Sequence, residues 1–156
     1  NVKPVTDLAF LMKIHSFLRG EIKPTKELRY QHENTYARLG RSQIHGIGVV
    51  AVCDIPKGTN IFRDDVSSIN WFKKEEIENL KVSSSVRQLY TDFCVKRNGK
   101  YGCPENFNSL TVGWYLNEPP EGIKPNVCCD DNYDFIATQD IKEGEELTVD
   151  YSTYSD

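Results

Sequence analysis

Long apolar runs are missing from this chain. No stretch approaches the ~20 consecutive apolar residues that a membrane-spanning helix needs, and the opening Asn1-Val2-Lys3-Pro4 is followed by no signal-peptide core. The expectation is a cytoplasmic protein, or a nuclear one if the source is eukaryotic, without membrane contact. A basic excess is missing too. Nineteen Lys and Arg against 23 Asp and Glu leave a net charge of -4, so the field that neutralises phosphates is absent and direct nucleic-acid binding is not expected. Metal-ligand spacing is also lacking. The five cysteines, Cys53, Cys94, Cys103, Cys128 and Cys129, form no C-x-x-C pair, which predicts reduced thiols and no bound metal. With only ten glycines and seven prolines, the composition is that of a folded domain.

What is present fills one domain of 156 residues, long enough to bury roughly two-thirds of its unfolded surface. Leu8, Leu11, Met12, Ile14, Phe17 and Leu18 recur at helical spacing between the caps Thr6 or Asp7 and the stop Gly20. This predicts an N-terminal amphipathic helix that packs on the domain or on a second copy, so a homodimer is a candidate assembly. From Thr35 the texture changes to short β-prone runs: Tyr36 to Leu39, Val49 to Cys53 and Asn60 to Phe62. Helical spacing returns over Lys73 to Leu80 and Ser83 to Tyr90, and Asn98-Gly99 marks a tight hairpin turn before Tyr101. Cys128-Cys129 reads as part of a buried strand. One pattern occurs twice, A-x-x-D-I-x-x-G-x-x-[I/L], at Ala51 to Ile61 and at Ala137 to Leu147. Each copy predicts a local hairpin, with Asp starting the turn and Gly free to take positive φ.

In chain order, His45-Gly46-Ile47-Gly48, the first D-I-x-x-G turn, Tyr115-Leu116-Asn117, Pro125-Asn126 and Gly144-Glu145-Glu146-Leu147-Thr148-Val149-Asp150-Tyr151 resemble the SET-domain family. The likeness runs from about Tyr36 to Tyr154. It implies a mainly β fold with some α, in which small curved sheets surround a knot-like C-terminal core. The expected organisation is an N-terminal helical extension over residues 1–34 and a SET domain over 35–156, with a variable helical insert at about 64–109. The resemblance further implies S-adenosylmethionine as cofactor, leaving S-adenosylhomocysteine, and the side-chain amine of a lysine in a protein or peptide as acceptor.

Residue by residue, the resemblance assigns Gly46, Ile47, Gly48, Asn117 and Glu118 to cofactor binding and Tyr151 to catalysis. Tyr154 is the candidate wall of a lysine channel. Glu145, Glu146 and Asp150 match positions that serve folding and hydrogen bonding. The family's N-H-S-C-x-P-N segment is altered here: Glu118 replaces His, Pro119-Pro120 follow, and the stretch to Pro125-Asn126 is longer. Trp114 stands where many members carry Arg. No zinc-binding cysteine segment follows Tyr151, so the N-terminal helix, the insert with Trp71 and Phe72, or a second subunit is left to close the channel. A SET fold without turnover, acting in protein binding, is the competing reading, and the altered segment favours it.

Overall fold

Two short antiparallel strands open the fold. β1 (Ala37–Arg41) and β2 (Ile47–Ala51) pair from Ala37 opposite Ala51 to Arg41 opposite Ile47. They belong to a computed structural model that describes residues 34–63, 65 and 68–155. The expected N-terminal helix therefore lies outside the described residues, as does almost all of the expected 1–34 extension. In chain order there follow β3 (Ile69–Lys73), α1 (Lys74–Glu78), α2 (Ser84–Phe93), β4 (Val95–Arg97), β5 (Lys100–Pro104), β6 (Val127–Cys129), β7 (Phe135–Ala137) and β8 (Glu146–Leu147). Among the described residues these strands make three small sheets, ordered β1-β2-β8, β3-β5-β4 and β6-β7. A mainly β fold with minor helix was the expectation, and it holds.

The duplicated pattern does something its sequence did not announce. Neither copy closes on itself as a hairpin; the two copies pair with each other about a local pseudo-two-fold. Ile55 and Ile141 exchange reciprocal backbone hydrogen bonds of 2.8 and 2.9 Å. Gly144 N–H donates to the Ala51 carbonyl, and Gly58 N–H to the Ala137 carbonyl. The Asp54 carboxylate accepts Glu143 N–H while Asp140 accepts Lys57 N–H. A turn started by Asp leaves its side chain an acceptor in search of an N–H, and here the donor comes from the other copy. As a result β2 pairs with β8, and Ile61 N–H donates to the Phe135 carbonyl in β7. Ile55 and Ile141, at 1% and 0% exposure, meet at the centre of the core with Val49, Val127, Leu147 and Val149.

The insert packs around a small core of its own. Asn98 and Gly99 both take positive φ, 53° and 69°, and connect β4 to β5. That is the two-residue turn whose twist matches paired strands. The Ser83 hydroxyl caps α2 by accepting Val86 N–H, and the Arg87 guanidinium donates to the carbonyls of Ile77, Glu78 and Leu80. One cation thereby satisfies the open end of α1 and ties it to α2. Both helices fall where the sequence periodicity put them. β3, directly ahead of α1, was not anticipated; it pairs with β5 from Ile69 opposite Pro104 to Lys73 opposite Lys100.

The C-terminal segment runs between two stretches that come earlier in the chain. Val149 N–H donates to the Asn117 carbonyl, and Val127 N–H to that of Thr148, in parallel bridges. The buried Asn126 side chain takes both roles an amide has: it donates to the Glu146 carbonyl at 2.9 Å and accepts Thr148 N–H at 2.8 Å. A buried amide satisfied on both sides pins the crossing.

Candidate functional site

The loop between β1 and β2 is held from beneath by side chains. The Ser42 hydroxyl accepts the N–H groups of Ile44 and His45 at 2.8 and 3.0 Å and donates to Glu146 Oε1 at 2.6 Å. Glu146 Oε2 accepts Gln43 N–H. Into this arrangement the Asn117 amide points, donating to the carbonyls of His45 and Ile47 and lying 3.1–3.2 Å from Ser42 Oγ and Glu146 Oε1. The loop is thus stitched to the C-terminal crossing before anything binds.

Its two glycines have different reasons. Gly46 takes φ +54°, and a Cβ there would meet nothing within 4 Å, so the residue meets a conformational need and faces open space. Gly48 has an ordinary backbone, but a Cβ would lie 2.3 Å from Glu146 Oε1 and 3.1 Å from the Asn117 amide. Its missing side chain is the space the carboxylate occupies. Ile47 between them is 55% exposed.

On the other side of the Leu116–Asn117 step stands Tyr151. Its hydroxyl donates to the Leu116 carbonyl at 2.8 Å, and its backbone N–H donates to Glu118 Oε1 at 3.2 Å. Burial pushes the Tyr151 phenol above its ordinary value, outweighing the smaller and opposed influences of the neighbouring Glu118 backbone and carboxylate. The phenol therefore stays protonated. Tyr154 packs edge-on against Tyr151 and Phe135, and Phe135 against Phe62, with centroid separations of 6.1, 5.9 and 5.8 Å. Burial raises the Tyr154 phenol further still.

Tyr151, Tyr154, Phe62, Phe135, Trp114 and Leu116 line a cavity of about 440 Å³, and its far wall is the end of α2 and the start of β4. That volume suits a side chain or small ligand. Gly46, Ile47, Gly48 and Asn117 lie outside it. The predicted site thus divides into a glycine loop locked by Asn117 and an aromatic cavity ending at Tyr151, with one peptide step, Leu116–Asn117, common to both. Trp71 reaches the cavity indirectly, through Tyr133 in its wall, while Trp114 forms wall directly.

Two elements of the candidate site were invisible to sequence reasoning. Ser42 carries no signal, being one serine in a loop. Leu116 acts through its carbonyl, which no side-chain pattern reports. Glu146 sat inside the recognisable Gly144 to Tyr151 run, and its hydrogen-bonding role there agrees with the structural part expected of it. Glu145 accepts Lys142 N–H and Asp150 accepts Ser152 N–H, again local hydrogen bonding.

Small sheets around a crossing C-terminal segment, with a glycine loop and a tyrosine meeting at that crossing, define the SET class of fold. The SET-domain sequence profile matches residues 46–152, most of the chain; the chain belongs to the SET-domain family. Among solved structures, the methyltransferase domain of human PR domain-containing protein 2 is 19% identical, covering 76% of this chain and 78% of its own, with a TM-score of 0.50. A Plasmodium falciparum protein described as a candidate histone methyltransferase is 18% identical over 74% of this chain and 91% of its own, with a TM-score of 0.48. No curated protein matches the chain closely enough in sequence to serve as a relative.

Proposed function

We propose that this protein transfers a methyl group from S-adenosylmethionine to the side-chain amine of a lysine in a protein or peptide. The observation that carries the reading is the Tyr151 hydroxyl, fixed to the Leu116 carbonyl one residue away from the Asn117 amide that locks the glycine loop. An acceptor entering the aromatic cavity and a cofactor seated on the loop would meet across that step.

The residues present fit such a cofactor. Gly46 opens to empty space above a loop already held by Ser42, Glu146 and Asn117, and Ile47 offers an exposed apolar surface; this preorganisation lowers the ordering cost of binding. The loop and Asn117 would hold it, and the step through Glu118 would continue the same surface. When bound, S-adenosylmethionine supplies an electrophilic methyl carbon on a positively charged sulfur.

The chain's own contribution is alignment and desolvation. In-line displacement needs donor and nucleophile held in register, and it needs the lysine as a neutral amine. A free lysine of pKa ≈ 10.4 costs about 4 kcal/mol to deprotonate at pH ~7.4. The partly buried ring of Tyr154 and the more exposed ring of Tyr151 make an apolar wall that disfavours the ammonium form. Because the Tyr151 phenol is itself held protonated, it acts as an orienting dipole and takes no proton.

Calorimetric titration of S-adenosylmethionine and S-adenosylhomocysteine into the protein, with Asn117→Ala as control, tests the reading. Binding to the native protein and its loss in the variant support it. No binding by the native protein overturns it and leaves a SET fold acting as an interaction module, the reading that the Glu118-Pro119-Pro120 segment would then explain.

A further inference from the structure

Two cysteines that the proposed chemistry does not use stand in contact inside the insert. Cys94 Sγ and Cys103 Sγ are 2.7 Å apart, and the residues are 9% and 1% exposed. They pack with Ile77, Tyr90, Tyr101 and Phe107 in a small core of their own. Their closeness follows from the fold. Val95 lies opposite Gly102 in the β4–β5 ladder, so Cys94 and Cys103 are the next pair in register. Directly opposed residues of an antiparallel ladder have Cα atoms roughly 4.5–5.5 Å apart, within the approximate 4.4–6.8 Å that a disulfide spans. A sulfur–sulfur bond of ~2.05 Å then needs a shift of under ~1 Å.

From this geometry we infer that Cys94 and Cys103 are a redox-modification site, a dithiol that a small peroxide converts to a disulfide fastening the end of α2 to β5. The inference does not depend on the methyltransferase reading.

The other thiols lack a partner of this kind in the fold. Adjacent Cys128 and Cys129 lie in one strand, where successive side chains point to opposite faces. Burial pushes the Cys129 thiol up to about 12, leaving it protonated and inert. At the Cys94–Cys103 pair, the Cys94 S–H donates to Cys103 Sγ; that hydrogen bond pulls the Cys103 thiol below its ordinary value against the opposing effect of burial, which makes Cys103 the more readily ionised sulfur of the two. No group of three metal-ligating side chains occurs among the described residues, which leaves oxidation as the chemistry open to a lone sulfur pair.

The step balances without a further reactant. The Cys103 thiolate attacks a peroxide oxygen; an S–O bond forms, the O–O bond breaks, and the departing oxygen leaves as water after taking a proton. Cys94, losing its proton, attacks that sulfur; the S–S bond forms, the S–O bond breaks, and the second oxygen departs as water. Two thiols are oxidised and one hydrogen peroxide is reduced to two waters. Burial keeps out bulky disulfide oxidants, whereas Cys94 borders the aromatic cavity and gives a small molecule its approach.

The consequence falls on the cavity. Thr91, Asp92, Phe93, Cys94, Val95 and Lys96 form one wall of it, and the bond would fasten that wall to β5.

The full chain, purified under reductant and then exposed to stoichiometric hydrogen peroxide, provides the test. The expected result is loss of two hydrogen masses, restored by a dithiol reductant. Lys96, Arg97 and Lys100 lie between the two cysteines, so trypsin releases them on separate peptides unless they are linked; fragmentation must locate the link at Cys94 and Cys103. Backbone hydrogen exchange over residues 91–96 should slow in the oxidised protein. Recovery of Cys94 and Cys103 unlinked, while Cys53, Cys128 or Cys129 is oxidised, overturns the proposal. A linked pair with unchanged exchange over 91–96 overturns its coupling to the cavity wall.

Discussion

Glu118 and Tyr151 meet across the C-terminal crossing: the Glu118 carboxylate accepts the Tyr151 backbone N–H at 3.2 Å. Glu118 is the residue that replaces the family histidine, so the departure in sequence is attached directly to the tyrosine on which catalysis is proposed to depend. Hydrogen bonds involving a charged group contribute about 1.5–3 kcal/mol, and the exposure of this one puts it at the low end. Glu118→Ala should therefore slow methyl transfer by about tenfold at most, while Glu118→Gln, which keeps the acceptor oxygen, retains most of the rate. Equal losses in both variants, measured with labelled cofactor, would detach Glu118 from the positioning of Tyr151.

Removing the Tyr151 hydroxyl is the more severe change. Tyr151→Phe should retain calorimetric binding of S-adenosylhomocysteine, since the glycine loop lies beyond the hydroxyl's reach, yet lower transfer by about a hundredfold or more, the scale of losing one preorganised donor. A variant that loses cofactor binding as well would mean that Tyr151 shapes the loop.

The pH dependence follows from the same phenol. Its raised pKa keeps Tyr151 protonated to above the ordinary value of 10.0. Initial rates at saturating cofactor should rise with pH as acceptor lysine loses its proton and show no downward break from tyrosine ionisation below pH 10.0. A break between pH 8 and 9, absent in a control for unfolding, would contradict this.

Gly48 is predicted to be intolerant for a reason internal to the protein. Gly48→Ala drives a Cβ to within 2.3 Å of Glu146 Oε1 and should cost about 1–3 kcal/mol of stability by overpacking, with weakened cofactor binding. Adding Glu146→Ala removes the obstructing carboxylate, so the double variant should be more stable than the sum of the single losses implies. Strict additivity in thermal or denaturant unfolding would show that the carboxylate is not the obstacle.

The paired repeat carries a prediction about stability at low pH. The Lys142 ammonium, at 2.7 Å, and Glu143 N–H hold the Asp54 carboxyl below its ordinary 3.8. A lowered folded value means that the stabilisation is fully present above the unfolded value and is lost as pH falls through the folded one. Acid unfolding below about pH 4 should therefore be less steep in Asp54→Asn, with little change near neutrality. The interaction is wholly exposed, so the difference should be small.

Much of this was legible from residue order. Apolar alternation, the Asn98-Gly99 turn and the periodicity around Ser83 to Tyr90 placed β2, the β4–β5 hairpin and α2, because each depends on contacts between near neighbours. β3 escaped because Ile69–Lys73 alternates poorly: Asn70 to Lys73 are all exposed, and pairing with β5 thirty residues later holds the strand in place.

By itself, the sequence determined the family and the presence of two like turns, and it singled out the glycine loop, Asn117 and Tyr151 as candidates, since these reside in residue type and local spacing. Only the tertiary structure decided that the turns complete each other, that Gly48 is empty to admit Glu146, that Ser42 holds the glycine loop and the Leu116 carbonyl holds Tyr151, and that Cys94 touches Cys103. Each of these is a contact across the chain or a backbone atom's position, and a hydrogen bond or a steric gap between distant segments leaves no spacing to read until the chain has folded.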